Sequence, residues 1–78
     1  MTSVDTLKKG ESARIETLMG SPGFISRAAA MGITPGVRVT TVQNRKSLPL
    51  LIFLRDTLVA LDRRDARRVI IHDIHSQV

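Results

Sequence analysis

The spacing of apolar residues changes period twice along this chain. From Ala13 to Thr17 it alternates, with Ala13, Ile15 and Thr17 on one side and Arg14 and Glu16 on the other. Such a two-residue period predicts a half-buried strand, which Leu18 and Met19 extend before Gly20 breaks it. At Phe24 the period lengthens. Phe24, Ala28 and Met31 stand at i, i+4 and i+7, with Ile25 and Ala29 beside them, which predicts a helix over Pro22–Met31. Its ends are marked. Ser21 is suited to the N-cap, where a hydroxyl accepts an orphan N–H. Pro22 fits the first helical position, where no N–H is missed. Gly32 offers the left-handed residue that stops a helix, and Pro35-Gly36 suits the centre of a type II turn.

Beyond that turn the two-residue period returns. Val37–Val42 is β-branched apart from Arg38, with Val37, Val39 and Thr41 on one face. Gln43–Ser47 reads as a polar hairpin loop. Leu48–Leu54 is the most apolar run of the chain, and both of its faces are apolar: Leu50, Ile52 and Leu54 alternate with Leu51 and Phe53. One face belongs on the core. The other is expected to pack under the helix, or else to stand exposed as a contact or self-association patch, since a small domain lacks the layers to bury both. Arg55–Thr57 is a tight connection and Leu58–Leu61 the next strand. Asp62 is placed to cap a single helical turn. Val69–His72 is a last short strand, with a loose tail from about Asp73. At the other end, Val4 and Leu7 are candidates to pin the N-terminal segment to the core. About five strands and one helix, joined by tight turns, predict a mainly β fold: a small SH3-like closed barrel, one domain over residues 1–78.

Composition narrows the possible functions. There is no cysteine, so neither a disulfide nor a thiolate metal site is available. Phe24 and Phe53 are the sole aromatics, too few for a base-stacking platform. The formal charge is +5, and the excess sits in Lys8-Lys9, Arg45-Lys46, Arg63-Arg64 and Arg67-Arg68. Nucleic acid, an acidic protein or an anionic membrane face could each exploit it. No apolar run reaches the ~18 residues of a membrane span and no signal-peptide core is visible, so a cytoplasmic protein is expected.

The candidate chemistry is sparse. No nucleophile–base pair or paired carboxylates stand out, and an enzyme is not expected. Met19–Gly23 lacks the lysine and spacing of a phosphate loop; its glycines read as turn residues. His72-Asp73-Ile74-His75 holds two imidazoles and a carboxylate, weak candidates for a metal. Residues i and i+3 of a regular strand point to opposite faces, so the histidines converge only if the segment turns. Arg63, Arg64, Arg67 and Arg68 form a candidate docking surface for an acidic partner, and Leu51 and Phe53 a candidate apolar contact.

Leu7-x-x-Gly10, Ile15, a helix carrying Arg27, then Met31-Gly32-Ile33-x-Pro35-Gly36 and Val37-x-Val39 together resemble the FeoA family. Leu58–Leu61, Ala66 and Val69–Ile71 resemble its closing segment, so the likeness spans about Val4 to Ile71. The Gly32, Pro35 and Gly36 motif carries most of it. The chain departs from the family pattern at Leu48-Pro49, at Asp56 where glycine is usual, and at Ala28–Ala30. The resemblance implies an SH3-like barrel with an inserted helix. It also implies a non-enzymatic accessory role in ferrous iron uptake, through the cytosolic part of the FeoB transporter and with no cofactor of its own. The protein is then expected at the inner face of the membrane through that partner, without inserting directly, and possible as a homo-oligomer. The alternative, read from the charge, is a basic barrel that binds nucleic acid or serves a transcription regulator; nucleic acid is not the expected partner.

Overall fold

The computed structural model describes residues 1–76. Six strands form one antiparallel sheet: β1 (Thr2–Ser3), β2 (Ser12–Leu18), β3 (Arg38–Gln43), β4 (Leu50–Leu54), β5 (Thr57–Leu61) and β6 (Val69–His75). Helix α1 (Pro22–Ala30) lies between β2 and β3, and a one-turn helix α2 (Arg63–Ala66) between β5 and β6. The strand order is β1-β6-β2-β3-β4-β5. The mainly β, SH3-like fold expected from the sequence is the one observed, with six strands where about five were counted; among the described residues no ladder joins β5 to β1, which leaves a seam there. A 3₁₀ turn at Val4–Thr6 packs on α2 across that seam.

The helix signals act as the sequence implies. The Phe24 N–H donates to Ser21 Oγ at 3.2 Å. At the other end Gly32 N–H reaches Ala29 O and Ile33 N–H reaches Ala28 O, both at 2.9 Å, the paired bonds of a Schellman stop. Gly32 takes the left-handed φ of +85° this requires. Thr34–Val37 then turns, with Val37 N–H on Thr34 O and Gly36 at φ +91°, as a type II turn demands.

The core is aliphatic apart from Phe24. Phe24 and Ala28 of α1 join Ala13 and Ile15 of β2, Val39 of β3, Leu50, Ile52 and Leu54 of β4, and Val59 and Leu61 of β5. Val4 and Leu7 are buried in it. The helix therefore packs on the core side of β4. The expectation that Leu51 and Phe53 lie under it is overturned: alternation turns them outward, and Phe53 is 43% exposed.

The C-terminal strand is longer than its sequence suggests. β6 runs through His75 where a tail from about Asp73 was expected. Ser12 pairs with His75 and Arg14 with His72, so β6 carries one residue more than β2 over this stretch. The surplus forms a bulge, with Asp73 at φ +55°. Gln77 and Val78, the end of the expected tail, lie outside the described residues.

Candidate functional site

Two surfaces contain the residues that sequence reasoning singled out. The first is the outer face of the sheet. Backbone register aligns His75, Ser12, Thr40, Phe53 and Leu58 in one row across β6, β2, β3, β4 and β5. Antiparallel partners point to the same face, so these side chains are neighbours. The row is polar at the His75 end. There a shallow cavity of about 100 Å³ is lined by Gly10, Ser12, Thr40, His75 and Ser76. It is apolar at the other end. Phe53 opposes Leu58, which is 56% exposed, and Leu51 opposes Ala60. Val42 extends this patch on β3.

The bulge changes the histidine geometry. Because Ser12 and Arg14 share the outer face of β2, their partners His75 and His72 also share it. Asp73 sits between Arg38, 2.6 Å away, and His75, 3.0 Å away. The His75 hydrogen bond, with the charge of Arg38, holds the Asp73 carboxyl below its ordinary range. Among the described residues no three His, Cys, Asp or Glu side chains gather as a metal would require.

The second surface surrounds α2. Asp62 caps it, its carboxylate accepting the Asp65 N–H at 2.7 Å. Arg63 turns inward and donates to Leu48 O at 2.9 Å, to Asn44 Oδ1 at 2.6 Å and to the Arg45 carbonyl. Arg68 lies over the Phe24 ring, 5.6 Å from its centre, with Asp65 3.5 Å away. Arg64 and Arg67 are exposed. The four arginines thus divide: two fasten the fold and two face solvent. Sequence reasoning missed Asn44, whose amide donates to Asp5 O and Leu7 O at 2.9 and 2.6 Å. Nothing local marks it, since both its partners are remote in sequence.

An antiparallel sheet bent on itself, with a helix let in after its second strand and an apolar outer patch, defines the class of small SH3-like proteins. A family model described as the FeoA domain matches residues 2–73, and the chain belongs to the FeoA family. The fold is similar to that of zinc-complexed FeoA from Stenotrophomonas maltophilia, described as a prokaryotic SH3 domain protein and a possible bacterial ferrous iron transport activating factor. That match has a TM-score of 0.87 and 21% identity over 100% of both chains. Iron(II) transport protein A from Clostridium thermocellum is similar with a TM-score of 0.83 and 24% identity, over 90% of this chain and 44% of that one. A manganese-dependent transcriptional repressor matches with a TM-score of 0.84 and 14% identity, over 90% of this chain and 39% of that one. No curated protein sequence matches the chain. No helix among the described residues is long and apolar enough to cross a membrane.

Proposed function

We propose that this protein is a non-enzymatic accessory factor of ferrous iron uptake that binds the cytosolic part of an FeoB-type transporter. The observation that carries this reading is the FeoA-domain match over residues 2–73. The relative described as a possible ferrous iron transport activating factor supports it. The contact face in this reading is the apolar end of the outer sheet, Leu51, Phe53 and Leu58 with Val42. An exposed aromatic beside exposed aliphatics is the usual core of a protein contact, because burying it removes apolar area from water.

The test is co-purification with the cytosolic domain of FeoB, paired with Fe(II) uptake in a deletion strain. Binding and restored uptake are expected from the native chain, and loss of both from Phe53→Asp. Phe53 lies outside the core, and circular dichroism of the variant checks that its fold is kept. Absence of association, together with normal uptake in the deletion strain, overturns the reading.

A further inference from the structure

Three segments that carry cations meet at one end of the sheet. Arg63 fastens the β3–β4 loop to α2 through Leu48 O, Asn44 Oδ1 and the Arg45 carbonyl. Asn44 fastens the same loop to the N-terminal turn through Asp5 O and Leu7 O. Each segment continues directly into exposed basic residues. Leu7 leads to Lys8-Lys9, Asn44 to Arg45-Lys46, and Arg63 to Arg64 and, one turn on, Arg67. Basic pairs scattered along the sequence are thereby carried on neighbouring segments.

Four carboxylates share this region with eight cations; each is tied by a local contact but keeps its charge, so the balance stays positive. Asp62 caps α2, Asp65 pairs with Arg68, and Asp5 accepts the Ser3 hydroxyl. Glu11 accepts the Lys8 N–H at 2.7 Å and the Ser76 hydroxyl at 2.9 Å. Among these cations stands one apolar side chain. Leu48 is 42% exposed, while its carbonyl is held by Arg63 and Pro49 follows it.

We propose that this end of the molecule docks on an anionic membrane surface. Lys8, Lys9, Arg45, Lys46, Arg64 and Arg67 face the phosphate headgroups, and Leu48 reaches the interfacial layer. The arrangement favours lipid over other polyanions on three counts. Leu48 gains nothing against a nucleic-acid backbone but gains apolar burial at a bilayer interface. Phe24 is buried and Phe53 lies on the outer sheet, so neither offers bases a platform here. Helix α2 has four residues, too short to enter a major groove. Cations drawn from three separate segments around an apolar tip also match an extended plane of charge better than a single acidic peptide. The inference stands independently of the transporter reading and needs no FeoB to test.

The experiment sediments the full chain with vesicles of phosphatidylglycerol and phosphatidylcholine, and with phosphatidylcholine alone. Duplex DNA binding is measured alongside. Three proteins are compared: native, Arg45→Ala/Lys46→Ala and Leu48→Ser. These side chains make no hydrogen bonds among the described residues, and circular dichroism confirms that each variant is folded. Each cation near an anionic surface strengthens partition about fivefold, so the double variant is expected to bind the anionic vesicles roughly 25-fold more weakly. Leu48→Ser is expected to lower vesicle binding several-fold. Raised salt releases the native chain. The proposal is overturned if anionic vesicles fail to bind the native chain at low salt, or bind it no better than neutral ones. Tight binding of duplex DNA, with vesicle binding indifferent to Leu48→Ser, overturns it as well and assigns the surface to nucleic acid.

Discussion

The guanidinium of Arg63 donates to the side-chain oxygen of Asn44 at 2.6 Å, and Asn44 donates onward to two carbonyls beyond the seam of the sheet. These two residues link segments that no backbone ladder joins. Truncating Asn44 leaves two partly buried carbonyls without a donor, and truncating Arg63 removes three bonds, one of them to the partly buried Asn44 Oδ1, so Arg63→Ala and Asn44→Ala are each expected to lower stability by about 2 kcal/mol. Their effects overlap, and the double variant is expected to cost about 1 kcal/mol less than the sum. Urea unfolding of the four proteins in a double-mutant cycle measures this. Strict additivity means the two residues act separately.

Thr41 is fully buried, and its hydroxyl has no hydrogen-bond partner among the described residues. A hydroxyl taken from water without compensation lowers stability. Thr41→Val keeps the shape and removes the polar atom, and is expected to raise stability by about 1 kcal/mol. A thermal melt that shifts downward instead rejects this account.

The β4–β5 hairpin turns on Arg55 and Asp56, both left-handed at φ +48° and +60°, with Leu54 opposite Thr57. This is the two-residue geometry that favours glycine at its second position. Asp56→Gly is expected to stabilise by about 0.5–1 kcal/mol, because the left-handed penalty of a side chain disappears. Gly32→Ala is expected to do the reverse, by about 1 kcal/mol, since the helix stop needs φ +85° there. Chemical denaturation of both variants checks the pair of signs.

Acid weakens the outer face. The Asp73 carboxyl is held low by His75 and Arg38, and that of Glu11 by the Lys8 N–H and the Ser76 hydroxyl. In the unfolded chain both return to about 4. The unfolded state then binds more protons, so this stability is complete above those values and drains as pH falls through the lower folded ones. Both groups are at the surface, so the effect is small. Melting temperatures followed from neutral pH downward are expected to fall less steeply in Glu11→Gln/Asp73→Asn than in the native chain. Parallel acid limbs count against these two carboxylates.

What the sequence made legible was local. Ser21, Pro22 and Gly32 bound the helix because a cap, a first-turn proline and a left-handed glycine act within a few residues of themselves. Pro35-Gly36 and Asp62 worked in the same way. Leu48–Leu54 was ambiguous because both faces are apolar, and pattern alone cannot say which one the core takes. The core takes Leu50, Ile52 and Leu54, leaving Phe53 outside. The bulge at Asp73 had no signal, since His-Asp-Ile-His is as polar as a tail. The Arg63–Asn44 bond lay out of reach for a different reason: it depends on how two distant loops are brought together. Arg63 and Arg64 look alike in sequence, yet one fastens the fold and the other is exposed.

The extra residue in β6 frees the surface from the core. In an unbroken pleat every second side chain must face the interior, so an added polar group displaces a packed one. The bulge shifts the pleat at one position, so that His72 and His75 share the outer face where regular alternation sets them on opposite sides, while Val69, Ile70 and Ile71 stay packed. New chemistry could therefore be written onto this edge by insertion, with no need to redesign the interior.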